Sequence, residues 1–328
     1  MNAVFLSIPA FLFVACASTN TDLTASAESE ITGPQFYRVT GNGTSAYLFG
    51  TVHLNDERTK SFPAVEAAFT GSDSLFVEIA PGPEGRAEMR QSILLPEGTS
   101  LDQLLGDDLW RRAGDRYELA GQSRADLDGA KPMVPWLVMG ELPFLESRAT
   151  GKPVPDLEFK RRALADGKPV HKMETITQHL QLFTDTTLDD QVVWFGALLD
   201  KLDQYDDEGR NMTDETIEAW ASGDPAKLFG LMDQILYPYM LDRKEKEAQL
   251  LWIRNERFAE RLDRALHESP EEVAFVAVGA MHLPSPPGVD VDREASASAP
   301  RHLGLADLMR ARGYQVTRID AVTGVSAK

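Results

Sequence analysis

The sequence predicts an α/β fold: a central mixed, partly parallel sheet flanked by helices, with a large helical insertion in the middle of the chain. Three observations carry this. Strand-like and helix-like segments alternate at both ends, the pattern of layered α/β domains. Asn42-Gly43 separates two strand-like runs near the start, a strong hairpin signal. Between the two ends, from about residue 84 to about residue 270, helical patterns dominate.

The elements follow in order. Phe36–Thr40 and Ala46–Phe49 are the hairpin strands. Pro63 opens a short helix over Ala64–Phe69, because proline is tolerated in a first helical turn. Ser74–Ile79 is a strand: Leu75, Val77 and Ile79 point to one face, Phe76 and Glu78 to the other. Helices are expected at about Gly85–Leu94, Leu101–Leu119, Val134–Arg148 (kinked at Pro143) and Leu157–Asp166. Lys168–Glu174 looks like a short strand. A long helical region runs from Thr175 to His267, broken near Asp206–Arg210, at Gly223-Asp224-Pro225 and at Pro238. A strand at Glu272–Val278 follows, then a Pro/Ser/Ala-rich loop over Ser285–Pro300, a helix at Leu303–Arg312 stopped by Gly313, and a last strand at Tyr314–Ile319.

Composition bounds the function. The 328 residues are 43% hydrophobic and 26% charged, enough for a sizeable core. The formal charge is −18 and the pI is near 4.8, which excludes nucleic-acid binding through a basic surface and argues against docking on anionic headgroups. Residues 1–15 read as a signal peptide: Ala3–Ala15 is apolar but too short to span a bilayer as a helix. Cys16, the single cysteine, ends that run like a bacterial lipoprotein cleavage site, so lipid is expected on its sulfur and membrane contact through that anchor. A secretory signal with an incidental cysteine is the other reading. Residues 16–34 are a Ser/Thr/Ala/Asp-rich tether, and 35–328 form a single domain. The protein is then exported, as a periplasmic lipoprotein or a secreted protein, and no intrachain disulfide can form.

Nucleophile-elbow, P-loop, dinucleotide-binding and HExxH motifs are all missing from the sequence. What remains is imidazole and carboxylate chemistry. A G-x-x-H tetrapeptide occurs twice, each time at the end of an apolar strand-like run: Gly50-Thr51-Val52-His53 and Gly279-Ala280-Met281-His282. In open α/β sheets, ligands bind outside the carboxyl ends of strands, so His53, His282 and Glu78 are candidate site residues. Two neutral imidazoles and a carboxylate can hold a divalent metal with a position open for water; without metal, a histidine can take a proton from water while the carboxylate orients it. Glu174 fits the start of a helix, where a carboxylate favours the dipole. Arg254-Asn255 follows the apolar stretch Leu250–Ile253 and could point inward, where an arginine needs an anionic partner. His171, His179, His267 and His302 have no comparable context.

With these residues in order, the chain resembles the TraB/PrgY/GumN family, which includes the Tiki metalloproteases and is similar in architecture to erythromycin-esterase and ChaN-like proteins. The resemblance runs from about Tyr37 to Ile319. It rests on Leu48–His53, Glu78, Lys168-Pro169-Val170 with Glu174-Thr175 and Gln178, Arg254-Asn255, Val278–Leu283 and Leu308–Val316. It implies a site of His53, Glu78 and His282, acting as catalytic groups and metal ligands, with Arg254 as a further catalytic group holding a substrate carboxylate or oxyanion. Glu174 and Asn255 are secondary members. It further implies a divalent metal, manganese or cobalt, and metal-dependent cleavage of a peptide or amide bond in a peptide or other small extracytoplasmic substrate. Other branches imply a peptide-sequestering role or an accessory role in envelope polysaccharide export. The chain departs from the family in Met281, where glycine is common, in the Pro284–Pro287 segment, and in the glycine–aspartate pattern near which Asp156 lies.

Overall fold

In the computed structural model, the structure describes residues 33–59, 62–145, 154–235 and 243–326. The signal-peptide and Cys16 expectations, and the break at Pro238, lie outside the described residues. None of the described helices is long and apolar enough to cross a membrane.

Six strands form one mixed sheet: β1 (Phe36–Gly41), β2 (Thr44–Thr51), β3 (Ser74–Val77), β4 (Val170–Lys172), β5 (Val273–Gly279) and β6 (Gln315–Arg318), in the order β4-β3-β5-β2-β1-β6. The four strands β4, β3, β5 and β2 run parallel, while β1 is antiparallel to both β2 and β6. The hairpin turns where the sequence places it. Asn42 and Gly43 both take positive φ, 53° and 81°, as a tight turn between twisted strands requires.

The parallel strands β3 and β5 and the second half of β2 are covered on both faces, which is why their sequences are nearly all apolar, whereas the edge strand β4 is exposed at His171 and Lys172. Phe49, Leu75, Val77, Phe275 and Ala277 pack into the larger core, beneath the helices that fill the middle of the chain. Ala46, Leu48, Phe76, Ala274, Val276 and Val278 pack into a second core, under the Ile253–Glu268 and Leu305–Ala311 helices. The split follows the two-residue period of a strand, and Leu75 and Val77 take the face opposite Phe76, as expected.

The middle region is helical, with β4 set within it. Several details differ from the sequence expectation: β3 stops at Val77, and a short helix, Arg124–Asp128, follows the Leu101–Leu119 helix. The helix expected over Val134–Arg148 ends at Met139, capped at Gly140, and resumes as a 3-10 turn over Leu142–Phe144; residues 146–148 lie outside the described residues. The long helical region has a further break after Thr184, because the Thr187 hydroxyl accepts from Asp190 N at 3.1 Å and starts a new helix. The Ser285–Pro300 loop holds a short helix, Val291–Ala295, capped by Asp290.

Candidate active site

The parallel register brings four chain segments to one edge of the sheet. His53 lies two residues beyond β2, Glu78 directly after β3, Glu174 two residues beyond β4, and His282 three residues beyond β5. All four leave adjacent parallel strands at their carboxyl ends, where an α/β sheet builds its sites. Of these side chains, Glu78, Glu174 and His282 are buried and His53 is partly so.

The two G-x-x-H motifs lock against each other. Strand pairing sets Gly50 opposite Val278 and Thr51 opposite Gly279. A methyl group on Gly50 would meet the Ala280 Cα at 2.9 Å, so this glycine lets the first motif pack on the backbone of the second. Gly279 serves a different purpose. A methyl group there would stand 3.2 Å from Glu78 Oε1, 3.6 Å from His282 Cδ2 and 3.7 Å from His53 Nε2. Three candidate ligand groups thus converge on the space above the Gly279 Cα. The Gly279 amide donates to Glu78 Oε1 at 2.7 Å and fixes that oxygen at the floor.

Both imidazoles are held through Nδ1, which directs Nε2 into this space. His282 Nδ1 lies 2.6 Å from Asn255 Oδ1, and Asn255 Nδ2 donates to the Leu303 carbonyl at 2.9 Å. A carbonyl can only accept, so the amide nitrogen must face Leu303. Asn255 Oδ1 then takes the Nδ1 proton, and His282 Nε2 carries a lone pair. Burial, aided by the Arg254 charge, pushes the His282 pKa down to about 3, so the ring is neutral at ordinary pH. Its Nε2 lies 3.8 Å from Glu78 Oε1.

His53 Nδ1 lies 2.9 Å from Asp156 Oδ2, a short but poorly aligned contact, and Thr51 donates its hydroxyl to Asp156 Oδ1 at 2.5 Å. Burial opposes a charge on His53, but the Asp156 carboxylate outweighs it and holds the pKa up at about 9. His53 Nε2 is buried without a hydrogen-bond partner, which is unusual for a polar atom.

The model of the TraB/PrgY/gumN family matches residues 35–292. The chain belongs to this family. Among curated proteins, this family member is similar to Metalloprotease TIKI2 of Danio rerio and of Xenopus tropicalis, each 24% identical over 284 residues, covering 73% of this chain and 54% of the relative. The chain thus spans about half the length of the curated relatives it matches. No solved structure matches.

The donor set of this TraB/PrgY/gumN protein fits a divalent cation. His53 Nε2, the edge of the His282 ring and Glu78 Oε1 line a cradle that a Cβ would fill, His53 Nε2 lacks any other partner, and an oxygen lies close to the far nitrogen of each ring, Asn255 Oδ1 for His282 and Asp156 Oδ2 for His53, as is usual behind metal-bound histidines. Among the described residues, the group whose ligand atoms all lie within 4.8 Å of one another is a neighbouring one, Glu78, Glu174 and His179. A cation already stands among them. Arg254 Nη2 lies 2.6 Å from Glu78 Oε2, 2.6 Å from Glu174 Oε1 and 3.3 Å from His179 Nδ1.

Arg254 therefore points inward, as its apolar approach suggests, but the carboxylates already claim it. Nε binds Glu174, Nη2 bridges Glu174 and Glu78, and Nη1 donates to the Leu250 carbonyl at 3.2 Å. Of five guanidinium protons, one remains for a substrate, so the structure gives Arg254 the work of holding Glu78 rather than an open oxyanion site. Burial alone would raise the pKa of both glutamates, but Arg254 overcomes it. Glu174 falls to about 2 and Glu78 is held well below the usual carboxylate range. A π-helical turn, Ala248–Trp252, precedes this pair; such turns mark functional segments. Here Arg254 and Asn255 both reach inward from the helix that follows.

Two neighbours were not among the site residues named from the sequence, although Asp156 lies near the family's glycine–aspartate pattern. Asp156 sits in a first helical turn, where a carboxylate is ordinary. His179 reads as one polar residue of a helix, yet it is buried with Nδ1 2.8 Å from Glu174 Oε1. The ionised Glu174 carboxylate can only accept, so His179 donates Nδ1–H to it. The other histidines lie elsewhere: His171 stacks on Phe76, His267 meets Tyr314, and His302 lies against Trp252.

Proposed function

We propose that this protein is a metal-dependent hydrolase of a peptide or amide bond. The observation that carries the reading is the convergence of His53 Nε2, the His282 ring and Glu78 Oε1 above Gly279, with His282 Nε2 3.8 Å from Glu78 Oε1 and the far nitrogen of each ring close to Asp156 or Asn255. The relatives named as metalloproteases support it. His53, His282 and Glu78 would hold the ion, which would polarise a scissile carbonyl and make a water more acidic. The chain's own residues do the rest. Asn255 keeps His282 in the Nδ1–H tautomer, Asp156 orients His53, and Arg254 keeps Glu78 ionised and fixed by a buried bond. Manganese or cobalt is the expected ion.

The test is direct. Purified protein loaded with manganese or cobalt is offered a peptide library, and products are read by mass spectrometry. Cleavage that disappears in His53→Ala and His282→Ala, together with loss of bound metal by elemental analysis, is the expected result. Peptide recovered intact under every metal, from protein that nonetheless binds it, would make the protein a peptide-sequestering one instead.

We also propose that the protein is exported and anchored through lipid on Cys16. This rests on the Ala3–Ala15 apolar run and the cysteine after it. Radiolabelled palmitate should enter the wild type and not Cys16→Ser; label in both would reject the anchor.

A further inference from the structure

The second G-x-x-H motif is followed by Leu283-Pro284-Ser285-Pro286. A proline on each side narrows the choices at Ser285. Pro284 has a fixed φ, and a residue ahead of proline is kept out of the helical region. The Ser285 hydroxyl is thus presented from a stiff support three residues after His282. It meets the start of the Leu305–Ala311 helix, whose N-cap is Gly304. Ser285 Oγ accepts from the Gly304 amide at 3.0 Å and donates to Asp307 Oδ2 at 2.5 Å. The Ala306 amide donates to the Leu283 carbonyl at 3.1 Å. In a capping box the third helical residue takes the N-cap amide directly. Here Asp307 reaches it through the Ser285 hydroxyl.

The junction is close-packed. A methyl group on Gly304 would stand 2.3 Å from the Leu283 carbonyl oxygen and 2.3 Å from the Pro284 carbonyl carbon, so the two backbones touch. Leu303 and Gly304 are both buried. The Gly304 N–H belongs to the same peptide unit as the Leu303 carbonyl, to which Asn255 Nδ2 donates at 2.9 Å. One rigid plane is therefore held at both ends, its N–H by Ser285 and its C=O by Asn255. The donor directions leave no free choice. A carboxylate only accepts, so Ser285 donates to Asp307 and turns a lone pair to Gly304. The carbonyl at the other end of the plane only accepts, so Asn255 gives it an N–H. Asn255 Oδ1 is left for His282 Nδ1, 2.6 Å away.

We propose that Ser285 is a positioning residue for His282: with Asp307 orienting its hydroxyl, it fixes the Leu303–Gly304 peptide plane, which holds Asn255 and keeps the His282 lone pair on Nε2. The Pro284–Pro287 segment, where this chain departs from its family, is then a support of the site. The consequence for metal binding rests on the hydrolase reading, whereas the tautomer does not.

The tautomer can be read directly. The whole chain, free of metal, is prepared with isotope-labelled histidine nitrogens. Nitrogen–proton correlation spectra then distinguish a protonated ring nitrogen from one bearing a lone pair, and His282→Ala identifies the His282 signals. The wild type should show Nδ1 protonated and Nε2 bare. In Ser285→Ala the two nitrogen shifts should move towards each other as the Nε2–H form becomes populated, while the His179 signals stay in place. Manganese affinity, by chelator competition, should fall about tenfold. Ser285→Thr, which keeps the hydroxyl, should restore both. Should Ser285→Ala not fold, the nearly isosteric Ser285→Cys, whose sulfur is a weak acceptor, gives the same reading. Wild-type His282 shifts in the folded variant would overturn the proposal, even where stability or metal affinity falls, because the serine would then be structural alone. A wild type that takes up no metal would remove the hydrolase reading and leave the nitrogen shifts to decide the role of Ser285.

Discussion

Replacing Gly279 with alanine separates the space above this residue from the fold around it. The backbone there has φ −52° and ψ 137°, which any L-residue accepts, so glycine is not needed for conformation. The added methyl would sit 3.6–3.7 Å from the two imidazoles, ordinary contact, and 3.2 Å from Glu78 Oε1, which must give by a few tenths of an ångström. Against that small strain stands the lower entropy of the unfolded chain, about 0.4–1 kcal/mol in favour of alanine. Net stability should change by less than about 1 kcal/mol, or roughly 2–4 °C in Tm. Metal binding should not survive so well. An ion must come within about 2.0–2.2 Å of each donor, and the methyl occupies the space those donors enclose. We expect affinity to fall by about 100-fold or more, a change of about 2.7 kcal/mol. Calorimetric titration of manganese or cobalt, with thermal denaturation followed by circular dichroism, measures both. Gly279→Ala that folds and binds metal as the wild type does would refute the assignment of this space. Gly50→Ala is the contrast: its methyl would meet the Ala280 backbone at 2.9 Å, which cannot yield as a side chain can, so about 1–3 kcal/mol of stability should be lost.

Asn255→Ala removes the acceptor that fixes the His282 tautomer; metal affinity should fall 10–100-fold in protein that still folds, as titration with chelator competition will show. Arg254→Met strands Glu78 and Glu174 in the interior and should cost about 3–5 kcal/mol in urea denaturation at neutral pH. That deficit should shrink as the pH falls towards and through the ordinary carboxylate range, because burial raises the unpaired glutamates and lets them protonate there; a deficit constant with pH would contradict the ion-pair role. The metal-free wild type should be most stable near pH 6.5. His53, raised to about 9, contributes stability that is complete below 6.5 and lost as pH rises through 9. His282, lowered to about 3, contributes stability present above 6.5 and lost as pH falls towards 3, and Glu174, lowered to about 2, adds a loss below about 4.5. Asp156→Asn should abolish the alkaline decline, since that carboxylate raises His53; a decline that persists in denaturation curves from pH 6.5 to 9.5 would argue against the pairing.

The strands, the hairpin and the ends of most helices were legible because they follow local rules. Alternation in Ser74–Val77, positive φ at Asn42-Gly43 and proline in the first turn at Pro63 are visible in a short window of sequence. The extra break at Thr187 and the helix at Val291 were harder to see, because a side-chain cap there competes with a helical pattern or with a loop-like composition. In the candidate site, His53, His282, Glu78, Glu174, Arg254 and Asn255 could be named from the sequence, and the structure brings all six to one strand edge. Asp156 and His179 could not, since a first-turn aspartate and a mid-helix histidine look ordinary until the element opposite them is known.

By itself the sequence determined the acidic balance, the α/β order and the two histidine-bearing strand ends, all properties of residue type and spacing along the chain. Only the tertiary structure decided what each group does. Sheet order sets β5 between β2 and β3, which puts the strand end bearing His282 between those bearing His53 and Glu78 and gives Gly279 the open space and Gly50 the tight packing. It also turns Arg254 from a candidate for substrate into the partner of two carboxylates, and fixes the His282 tautomer through an amide whose own direction is set by the Leu303 carbonyl. The physical reason is that a side chain's charge, tautomer and accessible volume depend on neighbours far away in sequence, which local patterns do not encode.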